Sequence, residues 1–312
     1  SCLQVTQRIS LLSFTCWSRR FVSNKIAALL FSVLTLLLLL DFLSPYLLKN
    51  ITNLHKIIIY VVIFLLPTDI YIRANRYKRA QMLKLKFVKV RYLPFILLFG
   101  LSTSVICALI NTGIAAMADG LWDIRAAAST VGFVSENPFI TALTMVFMPA
   151  ICEELLIRGL ALSEYEKYGV SVSVIMTSLI FSLFHGSLLT IPSLFIAGVF
   201  YAVRTHLFKS VYPAVICHCI NNGLAMYISL NRDFVSYLLG DVIFVIILVI
   251  VLFAVLYLTL RLTENVIDDL GDKKRLKTNR RALVYGDPLK AVFIWLFFAV
   301  SIAAAVLKII SL

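Results

Sequence analysis

The chain has 312 residues, 61% of them hydrophobic and 14% charged, with a mean hydropathy of +0.96 and a formal net charge of +13. That composition excludes an ordinary soluble enzyme and points to a polytopic membrane protein. The cations fall between apolar runs, which is the distribution of topology determinants and not of a nucleic-acid-binding surface.

In chain order, apolar stretches at 26–43, 57–72, 93–117, 138–158, 171–189, 192–208, 211–229, 239–261 and 289–310 predict membrane helices. Several approach the roughly 20 residues needed to cross the hydrocarbon core of a bilayer. The expected fold class is therefore all-α, a polytopic transmembrane helical bundle of about nine spans. The sixth stretch is short and carries Arg204 and His206 near its end. No cleavable signal segment is expected, because the first long apolar run leads into "DFLSPYLLKN" without a small-residue cleavage site.

Segment 73–92 carries Arg73, Arg76, Lys78, Arg79, Lys84, Lys86, Lys89 and Arg91 and no acid, and 261–290 carries Arg261, Lys273, Lys274, Arg275, Lys277, Arg280, Arg281 and Lys290. The alternate loops hold only Lys49, Lys56, Arg125 and Arg232, so the positive-inside rule predicts a cytoplasmic N-terminus. The stretch "LKLKFVKVR", Leu83 to Arg91, is expected to be a positive-inside linker, with anionic headgroup binding as the alternative. No internal repeat supports an inverted-repeat transporter. Asp41 and Asp69 are expected near headgroup regions, and Asp241 as a charge at a helix N-terminus. His55 and His206 are expected to be solvated histidines near the interfaces.

Against this background "MPAICEELLIRGL", Met148 to Leu160, stands out. Charged side chains at the centre of a membrane helix cost at least about 2.5 to 3.5 kcal/mol each on insertion scales and are seldom left there without a use. The fourth stretch carries Glu153, Glu154 and Arg158, the fifth carries His185, and the seventh carries His218, Asn221 and Asn222. The fourth and fifth form a hairpin with the polar tip "SEYEKYG", and Glu154 and His185 lie on either side of it. At the helical rise per residue these groups and His218 reach one level, about 10 to 12 Å below the inner surface.

Within helices, Glu154 and Arg158, Phe181 and His185, and His218 and Asn222 are each spaced i and i+4, so each pair shares a face. Arg158 can hold Glu154 as an ion pair, which leaves Glu153, rotated about 100° round the helix, free as a general base. A base, a histidine that orients water and a pair of donors for a developing oxyanion make a constellation for amide hydrolysis by activated water.

These residues resemble a known family. "EELLIR" matches the EExxxR motif, "FSLFH" the FxxxH motif and "HCINN" the HxxxN motif of the CPBP intramembrane glutamic endopeptidases, the type II CAAX prenyl endopeptidases and bacteriocin-processing enzymes. The resemblance spans 138–229 and implies Glu153 as the base that activates water and His185 as the residue that positions it. It further implies His218 and Asn222 as oxyanion stabilisers, with Glu154 and Arg158 in support, and the i, i+4 spacing sets Phe181 as a supporting aromatic wall beside the His185 imidazole. The expected division is 1–137 as an N-terminal membrane region, 138–229 as the catalytic core and 230–312 as a two-span C-terminal region.

Two histidines and two glutamates could also bind zinc. The HExxH pattern is absent, however, and the resemblance implies a metal-independent mechanism with no cofactor. Of the six cysteines, Cys107, Cys152, Cys217 and Cys219 lie in apolar stretches and are expected to be reduced packing residues. Apolar surroundings work against the thiolate that a nucleophile needs. The expected function is an intramembrane endopeptidase cutting a peptide or protein near the cytoplasmic surface. The resemblance implies substrates such as lipidated tails or leader and pheromone peptides, with membrane lipids as surroundings and no nucleic acid. The alternatives are a non-catalytic scaffold or signalling regulator that binds a partner in the same cavity and, third, a polar-cavity transporter.

Overall fold

The computed structural model describes residues 25–40, 42–43, 53–118, 137–231 and 292–310, together with 246, 250–255, 257–259 and 261–262. Every regular element among them is helical. In order they are α1 (Lys25–Leu40), α2 (Asn53–Ala74), the short α3 (Arg79–Met82), α4 (Leu93–Ala118), α5 (Pro138–Tyr168), α6 (Val170–Phe184), α7 (Ile191–Phe208), α8 (Tyr212–Leu230) and α9 (Val292–Ile310). Four helical segments, Ile57–Ala74, Val90–Ile114, Pro138–Tyr168 and Ile191–Phe208, are long and apolar enough to cross a membrane. The described residues of the eighth expected stretch, 239–261, are helical; Asp41, Asp241 and residues 1–24 lie outside the described residues.

The outward faces are those of a protein in lipid. On α2 the exposed apolar side chains are Ile58, Val62, Leu66 and Ile70, and on α4 they are Leu93, Leu97 and Leu101. Both stripes repeat every four residues, the spacing that keeps one helix face turned to hydrocarbon. The buried side of α4 instead carries Ser102, Thr103 and Ser104, each donating its hydroxyl to the carbonyl four residues back. Small hydroxyl residues satisfied in this way let neighbouring helices approach closely.

The helices around the site start and stop for local reasons. Pro138, Pro192 and Pro213 stand in the first turns of α5, α7 and α8, where a missing N–H costs nothing. Asn137 caps α5 by accepting from the Phe139 N–H at 2.9 Å. Within α5 the chain widens to π-type turns at Leu143–Phe147, just ahead of Pro149, and again at Leu155–Ala161. Pro149 cannot donate to the carbonyl four residues back, and its ring crowds that carbonyl, so a widened turn there relieves the conflict. The fourth expected stretch thus runs ten residues past 158, to a turn at Gly169 whose φ of 110° is open to glycine. The fifth ends sooner than expected, at Phe184, which places His185 at the C-terminal cap of α6.

Among the described residues, α6 and α7 share the most extensive contact; α8 packs on α4, α5 and α7, α2 on α5, and α9 on α6. Gly198 sets the α6–α7 separation: a Cβ there would lie 2.9 Å from both Cα and Cβ of Ser178. The basic segment after α2 is more than a linker. Ser163 donates to the Met82 carbonyl at 2.9 Å, the Val211 N–H donates to the Lys84 carbonyl at 3.1 Å, and Lys84 Nζ pairs with Glu166 at 2.9 Å. Phe87 stacks on Tyr212 with centroids 4.8 Å apart. Asp69 anchors the start of this strap by pairing with Arg73 at 2.6 Å and with Arg79. His206 is not the solvated residue expected: its side chain is 10% exposed, with Nδ1 3.0 Å from Glu166 and Nε2 3.0 Å from Ser173 Oγ. The end of α7 returns against the α5–α6 turn, and that tertiary contact buries it.

Candidate active site

The polar residues of α5, α6 and α8 converge, with α2 as a fourth contributor. Glu154 and Arg158 are both fully buried and joined at 3.0 Å, as their spacing on one face allows. The guanidinium also donates to the Gly198 carbonyl at 3.3 Å and lies over the Phe181 ring, 4.2 Å from its centroid. The carboxylate oxygen that takes Arg158 also lies 2.9 Å from His218 Nδ1. A carboxylate oxygen can only accept, so Nδ1 of His218 carries the proton and Nε2 is turned to other partners. Tyr201 stacks on the His218 ring at 5.5 Å and 23°, and Phe181 meets it edge-on at 5.4 Å.

Glu153 sits beside this closed group in a different setting. Its Oε1 accepts from the Tyr60 hydroxyl of α2. Its Oε2 is buried without a hydrogen-bond partner among the described residues and lies 3.9 Å from His185 Nε2. His185 donates Nδ1–H to the Phe181 carbonyl at 3.0 Å, which again leaves Nε2 as the nitrogen facing the carboxylate. The His185 side chain is 32% exposed, so this edge of the cluster is open. A water about 2.8 Å from both Oε2 and Nε2 would satisfy each of them.

Asn222 lies one turn beyond His218 on α8, half-buried, and is not drawn into the hydrogen-bonded group. Cys107, Cys152 and Cys217 are buried free thiols, and Cys219 is half-buried. No group of three or more His, Cys, Asp or Glu side chains is arranged to hold a metal ion among the described residues. Sequence reasoning missed Tyr60 and Tyr201. Tyr60 is a phenol in an apolar helix, a side chain whose polar tip needs a partner once buried, and that was the available signal; Tyr201 contributes its ring, stacked on His218, and its hydroxyl has no partner among the described residues.

Fold and site define an integral membrane protein of the helical-bundle class that carries a buried ionisable cluster. The comparison with protein families bears on one segment. Residues 135–224, less than a third of the chain, match the family of Rce1-like type II CAAX prenyl endopeptidases. Glu153, His185, His218 and Asn222 fall within the matched segment and Tyr60 outside it. No curated protein and no solved structure matches the chain.

Proposed function

We propose that the protein is a glutamic intramembrane endopeptidase that hydrolyses a peptide bond near the cytoplasmic membrane surface, with a peptide or protein, lipidated or of the leader type, as substrate. The observation that carries this reading is the buried, unpartnered Oε2 of Glu153 facing Nε2 of His185 at 3.9 Å on the open edge of the cluster. Glu153 takes a proton from a water held between these two atoms, and the water oxygen bonds to the scissile carbonyl carbon. The resulting oxyanion accepts from His218 and Asn222. Because Nδ1–H of His218 is directed to Glu154, Nε2 is the nitrogen that would reach the oxyanion, and it donates only when it too carries a proton. Collapse breaks the carbon–nitrogen bond, and the proton held by Glu153 passes to the leaving amine. Glu154, Arg158 and Phe181 hold His218 and His185 in place.

The test compares peptides in membranes and medium of cells making the wild type with those of cells making Glu153→Gln at matched abundance. A fragment present only with the wild type, and released again by purified protein, identifies the activity and the cut. Identical inventories with an unchanged cellular phenotype would replace the protease with a scaffold that binds a partner in the same cavity. Loss of cleavage on chelation, with recovery on adding zinc, would replace the glutamate mechanism with a metal-dependent one. Reporter fusions at the N-terminus and in the 73–92 segment test the cytoplasmic orientation.

A further inference from the structure

Tyr60 belongs to α2, outside the segment that matches the family, yet its hydroxyl reaches the carboxylate at the centre of the proposed chemistry. Its ring packs on Phe64, one turn along the same helix. The centroids are 4.7 Å apart, and Phe64, 2% exposed, in turn lies 6.3 Å from Phe184, the residue before His185. One helix thereby fixes the distance between the phenol on Glu153 and the end of α6 that presents the imidazole.

A free glutamate carboxylate turns about its last bond between two nearly equivalent positions, so neither oxygen would hold a lasting place opposite His185. The phenol has one proton to donate and Oε1 receives it, which leaves Oε2 as the oxygen with an empty hydrogen-bonding site. We propose that Tyr60 is a positioning residue for the reaction: it pins Oε1 of Glu153 so that Oε2 alone faces His185 and the attacking water. The proposal rests on the function given above and adds to it that a helix outside the family segment completes the site. No bond to Tyr60 forms or breaks; its proton stays on the phenol while Oε2 takes and returns the proton of water.

The experiment uses the full-length protein in lipid bilayers and a synthetic peptide spanning the cut found in the inventory. Tyr60→Phe keeps the ring on Phe64 and removes only the hydroxyl. Its kcat should fall about 10- to 100-fold, the value of a hydrogen bond to a charged group, with KM within about two-fold. The acidic limb of its pH–rate profile should move to higher pH, because the carboxylate form of the base has lost a donor. Phe64→Leu, which loosens packing and leaves the hydroxyl, should lower the melting temperature without moving that limb. A lower melting temperature with an unmoved limb in both variants would mean that Tyr60 is only structural and would overturn the proposal. Wild-type kcat and limb in Tyr60→Phe beside an inactive Glu153→Gln would overturn it while leaving the protease intact. An active Glu153→Gln, or an inventory without a fragment, would remove the protease and this proposal together.

Discussion

Two faces of α5, one residue apart in the chain, carry the same side chain in opposite settings. On one, Glu154 is fully buried with an oxygen shared between Arg158 at 3.0 Å and His218 at 2.9 Å, and the arginine rests on Phe181. On the other, Glu153 has one oxygen held by Tyr60 and one without a partner, beside a histidine that is 32% exposed. The first face is a buried network in which Arg158 and His218 share one oxygen of Glu154, while its second oxygen and Arg158 Nε have no hydrogen-bond partner among the described residues. Such a group tolerates no loss, since removing one partner strands a charge in a low-dielectric interior. The second keeps a buried acceptor oxygen without a partner among the described residues, 3.9 Å from the partly exposed His185. A protein can place reactive chemistry inside a bundle when a neighbouring network fixes the frame around it.

That contrast can be broken by substitution. Arg158→Ala should cost the most, about 3 to 5 kcal/mol, because it leaves Glu154 buried with no cation on its own helix. A melting temperature in detergent or lipid close to wild type would dissolve the distinction between the two faces. His218→Ala lies at their boundary and should lower turnover about 10² to 10³-fold, the loss expected of one oxyanion donor. Full turnover of purified His218→Ala on the wild-type peptide would remove it from the site. Gly198→Ala presses on the closed face from behind, where the new Cβ meets Ser178 at 2.9 Å and Arg158 Nη2 at 3.2 Å. It should cost about 1 to 3 kcal/mol, the usual penalty for overpacking, read as a lower melting temperature and reduced yield of folded protein. The smallest effect on folding belongs to the open face: Glu153→Gln keeps an acceptor for Tyr60 and should change stability by less than about 1 kcal/mol. Its melting curve should overlay the wild type while cleavage is lost; a large destabilisation would make Glu153 another structural member of the cluster.

Much of the architecture was legible because lipid leaves the chain few choices. Backbone groups without water must be satisfied within a helix, so apolar runs such as 57–72 and 93–117 correspond to α2 and α4 within a few residues at each end. Contacts inside one helix were legible for the same reason, the Glu154–Arg158 pair among them. The exceptions lie at helix ends and turns. The extension of α5 to Tyr168 and the early stop of α6 depend on where the hairpin packs, and the burial of His206 depends on Glu166 and Ser173, which reach it from other helices.

That the chain is a bundle of apolar helices, which of them carry charge, and which charged residues share a helix face all follow from hydropathy and the helical repeat. Which glutamate meets Arg158 and His218 and which lies beside the partly exposed His185 follows from the packing between helices. His218 reaches Glu154 across 64 residues and Tyr60 reaches Glu153 across 93. Neither contact has a periodicity that could announce it, because the rotation of each helix about its own axis is set by the side chains packed between helices and not by the run of residues along any one of them.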